Sequence, residues 1–144
     1  MTRYEVATAQ GSFLAPSFEH AHVGDVMRHG VISCEPDASL RAVARIMASY
    51  HVHAVVVALA GDVWGIVSAV DVLQLAGSDG ERLTAGEIAA TEFVTVGPDT
   101  PLAEAARLMR EHEVAHLIVT GASGNPVGVL STLDIARTLA WGEA

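Results

Sequence analysis

Apolar residues recur at helical spacing twice along the chain. Leu40, Val43, Ala44 and Met47 fall at i, i+3, i+4 and i+7, as do Leu102, Ala105, Ala106 and Met109, so each set predicts a helix with one apolar face. A short strand-like piece precedes each helix, at residues 31–34 and 93–96, and leads into Pro36-Asp37 or Pro98-Asp99. Stretches rich in β-branched residues follow, 53–59 and 117–120, and both end in turn residues, at 61–62 and 121–126. A second strand then runs into GIVSAVD, from Gly65 to Asp71, or GVLSTLD, from Gly128 to Asp134, after which helix formers return.

Each half therefore reads strand, helix, strand, strand, helix, and the order of segments twice over predicts internal duplication. Leu40 and Leu102 lie 62 positions apart and Gly65 and Gly128 lie 63 apart. The extra residue belongs in the hairpin turn, where an insertion costs least. Short helical turns at 23–27 and 85–89 open the two repeats, and Thr84 with Glu87 has capping-box spacing. The predicted organisation is an N-terminal arm (1–22), a first repeat (23–77), a linker (78–83), a second repeat (84–140) and a short tail (141–144). The arm has no sustained periodicity, yet Phe13, Leu14 and Phe18 are poor residues to leave in water.

The twin motif admits two readings. Ser68 with Asp71, and Ser131 with Asp134, have the spacing at which a hydroxyl and a carboxylate satisfy the first free amides of a helix, so the motif can be a helix start and nothing more. Alternatively, the glycine admits a ligand close to the backbone, the amides and hydroxyl favour a phosphate, and the carboxylate accepts hydrogen bonds from sugar hydroxyls.

Composition narrows the classes. Seventeen acidic residues against eight basic ones, all arginine, give a net charge of −9, which repels nucleic acid instead of forming the basic stripe that phosphate backbones need. The longest apolar run, residues 54–60, is far short of the roughly 18 residues of a membrane span. MTRYEVATAQGSF has no secretory-signal pattern, so a soluble, cytoplasmic protein is expected. Cys34 is the lone cysteine, expected reduced and buried, with no disulfide and no zinc pattern. No serine sits in a nucleophile elbow and Cys34 lacks an evident base, which argues against an enzyme. The pairs His20/His22 and His51/His53 lack further ligands at fixed spacing, so no metal site is expected.

With SCEPDASL and TVGPDTPL before the first helices, VHAVVV and VAHLIV after them, and the two GxxSxxD segments, residues 23–140 resemble a tandem pair of cystathionine β-synthase (CBS) domains, a Bateman module, as in stand-alone CBS-domain proteins. The resemblance implies an α/β (α+β) fold of two βαββα repeats packed as a pseudo-twofold pair. It also implies a regulatory, non-enzymatic role, with no obligatory cofactor, and two clefts that take adenosine ligands such as AMP, ADP, ATP or S-adenosylmethionine. Carried onto this chain, one cleft takes Ser33, Val52, His53 and Ala54 with Ser131 and Asp134; the other takes Thr95, Val114, Ala115 and His116 with Ser68 and Asp71. Hydroxyls of Ser33 and Thr95 can meet polar ligand edges, Val52 and Val114 can flank an adenine, and the aspartates can hold a ribose. His53 and His116 suit either a phosphate or plain strand-end packing.

Many relatives carry an arginine or lysine just before the aspartate, where this chain has Val70 and Leu133, a difference that argues against a triphosphate and favours AMP, adenosine-like ligands, or no nucleotide in at least one cleft. A structural dimerisation or interaction module with unoccupied clefts is the alternative. The resemblance further implies a homodimer, with Leu73, Leu75, Ile135, Leu139 and Trp141 at its interface, and a regulated partner protein.

Overall fold

The computed structural model describes residues 15–143; the expectation that Phe13 and Leu14 pack falls outside them. The elements are α1 (Val23–Val26), β1 (Arg28–His29), β2 (Ser33–Cys34), α2 (Leu40–Tyr50), β3 (Ala54–Leu59), β4 (Asp62–Ser68) and α3 (Ala69–Leu75). After a 3-10 turn (Asp79–Arg82) come α4 (Ala85–Ile88), β5 (Thr95–Val96), α5 (Leu102–His112), β6 (His116–Thr120), β7 (Pro126–Ser131) and α6 (Thr132–Trp141). This is a mixed α+β fold with two small sheets, and every strand and helix expected from the apolar pattern forms within a few residues of its expected bounds.

Among the described residues two compact units result, one from Gly30–Phe93 and the other from residues 15–29 together with 94–143. In the Gly30–Phe93 unit the sheet order is β2-β3-β4, with β2 parallel and β4 antiparallel to β3. Ala54, Val55, Val56 and Val57 of the central strand are all buried, as a strand covered on both faces requires. Val43 and Met47 of α2 close on this sheet with Val67 and Ala85. The other unit has the order β1-β7-β6-β5, and its core holds Leu102, Ala105 and Met109 of α5 with Leu117, Val119 and Leu130. Phe18, from the expected arm, packs against that core.

The compact units are not the sequence repeats. α1 belongs to the first repeat but packs in the unit of the second, where Val23 N–H donates to Thr100 O and Gly24 N–H to Pro98 O, both at 2.8 Å. α4 does the reverse, with Ala85 N–H to Ala38 O and Gly86 N–H to Pro36 O at the same 2.8 Å. Each opening turn thus closes the proline loop of the other repeat. Val23 and Ala85 are completely buried in these positions.

Candidate ligand half-sites

The serine–aspartate motifs form matched caps at the starts of α3 and α6. Asp71 Oδ2 accepts from Ser68 N–H at 2.8 Å and from Ser68 Oγ–H at 3.1 Å, while Asp71 N–H donates to Ser68 Oγ at 3.3 Å. The corresponding distances at Ser131 and Asp134 are 2.8, 3.0 and 3.3 Å. Both capping boxes follow from the local spacing. One oxygen of each carboxylate is engaged in the cap, and the other, Oδ1, lies outside it.

Sheet register sets what surrounds each cap. In the Gly30–Phe93 unit Ala54 pairs with Ser68, Ser33 with Val56, and His53 O accepts from Ala69 N–H at 2.8 Å. These contacts gather Ser33, Val52, His53 and Ala54 at the same end of the sheet as Ser68 and Asp71. In the other unit His116 pairs with Ser131, Thr95 with Ile118, and Ala115 O accepts from Thr132 N–H at 3.0 Å, so Thr95, Val114, Ala115 and His116 lie at the same end of the sheet as Ser131 and Asp134. Ser33, Thr95, His53 and Ala115 are exposed, whereas Val52 and Val114 are half-buried against the cores of their own units.

The motif glycines serve a different purpose from the one expected of them. A Cβ on Gly65 would lie 2.5 Å from Ala90 O, and one on Gly128 would lie 2.5 Å from Arg28 O and 2.9 Å from Met27 Sδ. The close approach is made by the chain's own backbone, where the segment after each opening turn runs beside the motif strand: Ile66 forms an isolated bridge with Ala90, and His29 of β1 pairs with Gly128. Just before the aspartates, Val70 and Leu133 are exposed apolar residues, 58% and 47% accessible.

Arg137 stands beside the second cap and was passed over in the sequence. Its Nη1 lies 3.9 Å from Asp134 Oδ1, an i, i+3 pair that helical spacing alone would have flagged. The sequence also gave no sign of a groove of about 600 Å³ bordered by Leu40, Arg41, Val72 and Arg82, which includes none of the cleft residues named above. Cys34, expected buried, is half-buried; desolvation first, and the charge of Asp37 second, push its thiol up from the ordinary range. Among the described residues no three histidine, cysteine or acidic side chains are grouped to hold a metal, and no helix is long and apolar enough to cross a membrane.

Comparison with known proteins agrees with the duplicated fold. A homoserine O-acetyltransferase of Methanohalophilus mahii is 28% identical over 124 residues, covering 85% of this chain but 25% of the enzyme. The chain thus spans about a quarter of the length of the first such relatives. Among solved structures, the CBS domain pair of protein MJ0100 in complex with 5′-methylthioadenosine and S-adenosyl-L-methionine superimposes with a TM-score of 0.75 at 20% identity, covering 81% of this chain and 94% of that one. CBSX2 in complex with AMP gives 0.69 at 24% identity, covering 81% and 93%. The CBS domain family model matches residues 23–78 and again 85–140. With both repeats matched and a CBS-pair fold around them, the chain belongs to the CBS-domain family.

Proposed function

We propose that this chain is a regulatory module that binds an adenosine-type ligand, AMP or a close relative, and transmits its occupancy to a partner protein. The observation that carries the reading is the twin cap: two serine–aspartate turns with matching distances, each leaving a carboxylate oxygen outside the cap to accept ribose hydroxyls. That solved structures of the same fold contain AMP, or 5′-methylthioadenosine with S-adenosylmethionine, supports the ligand class. The residues proposed to contact the ligand are those the resemblance implies: Ser33, Val52, His53, Ala54, Thr95, Val114, Ala115 and His116, with the serines and aspartates of the two motifs, Ser68, Asp71, Ser131 and Asp134. Val70 and Leu133 supply no cation for a phosphate tail, so AMP is expected to bind as tightly as ATP or more tightly.

The test is a thermal-shift series with adenosine, AMP, ATP and S-adenosylmethionine on the purified protein. A ligand at about 100 times its Kd adds ~2.7 kcal/mol of stability, a rise of several degrees for a chain of this size. Asp71→Ala with Asp134→Ala should remove that rise. No shift with any adenosine ligand would end this reading.

A second reading, an interaction module with unoccupied clefts, draws on a separate observation. Val70 and Leu73, one turn apart on α3, are 58% and 74% accessible, and Leu139 on α6 is 70% accessible; apolar side chains left in water side by side mark an interface. Ile135, expected to share that surface, packs instead against the core of its own unit. A homodimer through the two motif helices is compatible with either reading, and the ligand response separates them.

A further inference from the structure

We infer that the groove beside α2 in the Gly30–Phe93 unit is a separate ligand site, built for a small zwitterion with an apolar body, the chemistry of a free amino acid with an aliphatic or aromatic side chain. The inference goes beyond the adenosine reading and does not depend on it, because none of the residues assigned to the adenosine ligand borders this groove.

The groove, about 600 Å³ in volume, lies in the range of small-molecule sites, ~300–1,000 Å³. All its walls come from one compact unit: the start of α2, the side of α3 that carries Val72 and Ala76 one turn apart, and the 3-10 turn Asp79–Arg82. Ser78 fixes that turn, its Oγ–H donating to Leu75 O at 2.7 Å and its Oγ accepting from Gly80 N–H at 3.1 Å. Glu81 completes it by accepting from Gly77 N–H. The groove also departs from the internal duplication. Ser39, Arg41 and Ala76 stand where the second repeat has Pro101, Ala103 and Leu139, so the fold that both repeats share does not require it.

The charges around the groove are opposite in sign yet unpaired. Among the described residues neither Arg41 nor Arg82 forms an ion pair or a side-chain hydrogen bond, and the Asp79 carboxylate forms none either. Ser39 Oγ accepts from Ala42 N–H at 3.0 Å, which leaves its own proton to donate. Each guanidinium is always charged and offers N–H donors in a planar fork that matches a carboxylate. Asp79 offers the complementary acceptors for an ammonium. A plain anion would meet Asp79 and Glu81 as like charges, and a plain cation would meet both arginines; a zwitterion meets its opposite on either side. Its apolar part then leaves water against Leu40, Ala44, Val72 and Ala76.

Amide NMR titration of the full chain with leucine and with phenylalanine tests this. At millimolar concentration at least one of them should move the signals of Ser39, Ala44 and Ser78 and leave those of Ser68 and Ser131 in place. The analogues without the amine, isocaproate and hydrocinnamate, and those without the carboxylate, isoamylamine and phenethylamine, should each bind about tenfold more weakly than the parent amino acid. Arg41→Gln with Arg82→Gln should weaken the amino acid by about tenfold or more, and Asp79→Asn should erase its advantage over the amine-free analogue. These side chains are exposed and hold no other group, so the melting temperature without ligand should stay where it is. Ala76→Leu, which fills the floor with the residue of the second repeat, should block binding. If neither amino acid moves those signals, or if binding survives both the double arginine substitution and Ala76→Leu, the inference is overturned. It is overturned equally if the amine-free analogues bind as tightly as the amino acids, since the groove is then a plain anion site. The response to AMP, read on the same samples, decides the adenosine reading separately.

Discussion

Replacing Gly65 by alanine inserts a methyl group where the backbone of Ala90 already lies. The new carbon would stand 2.5 Å from Ala90 O and 3.0 Å from Ala89 Cβ, about 1 Å closer to the oxygen than non-bonded atoms pack. Neither neighbour is the far end of a flexible side chain, so the backbone must yield. The bonds that hold it are Ile66 N–H to Ala90 O at 3.0 Å and Ala90 N–H to Ile66 O at 2.9 Å. Overpacking costs about 1–3 kcal/mol, and weakening each hydrogen bond adds about 0.5–1.5 kcal/mol. The stiffer unfolded chain returns about 0.4–1 kcal/mol. A net loss of about 1–5.5 kcal/mol follows, read as a fall of roughly 0.5–2.8 M in the urea midpoint for a slope of about 2 kcal/mol/M. Gly97→Ala is the control, because a Cβ there has nothing within 4 Å. The reasoning is refuted if Gly65→Ala unfolds at the midpoint of the unaltered protein. Should that variant also have lost its AMP response, the glycine would be serving a ligand after all.

Removing a cap without ligand present gives a smaller effect: Ser68→Ala should cost about 1 kcal/mol, seen as a lower melting temperature, and an unchanged one would mean that the cap is not formed in solution. Leu73→Glu with Leu139→Glu should convert a homodimer to monomers by light scattering, whereas a single-chain mass for the unaltered protein at micromolar concentration would refute the dimer. Ile135, also in the interface set read from the sequence, is left unaltered, since a charge there would enter the core of its unit. Because burial raises the Cys34 thiol and the thiolate is the nucleophile, iodoacetamide should label it more slowly at pH 8 than an unstructured cysteine peptide. Folded protein stabilises the neutral thiol, so the stability it contributes is present below the ordinary thiol range and falls as pH rises through it; equal or faster labelling would contradict this.

Local signals in the sequence translated into structure well. The i, i+3, i+4, i+7 pattern placed Leu102, Ala105, Ala106 and Met109 in the core, because a helix face is decided by residues within two turns. The caps at Ser68, Thr84 and Ser131 were legible for the same reason: hydroxyl, carboxylate and amide lie within four residues. Ala44, which shares the apolar spacing of α2, is only half-buried, since periodicity says which face is apolar and not how completely it is covered. What could not be read were the meetings between distant segments. VGDV and AGEI announce helical turns, but nothing within four residues says that each docks on the proline loop of the other repeat. The two-residue strand β1 exists only because β7 lies beside it. The motif glycines looked like ligand contacts because the backbone that runs beside them is some 25 residues away for Gly65 and about a hundred for Gly128.

The exchange of opening turns also bears on how the protein is made. On the ribosome, Gly30–Phe93 has all its strands and its closing turn α4 once Phe93 has emerged, so it can fold as a unit while synthesis continues. Val23–Val26 leaves the exit tunnel earlier, yet its hydrogen-bond partners at Pro98 and Thr100, and the strands of its sheet, are translated later. The first described helix therefore belongs to the last unit to be completed. A break at the repeat boundary, by truncation or by proteolysis of a nascent chain, leaves each half without the turn that seals its own proline loop and with a buried valine or alanine of the wrong turn exposed.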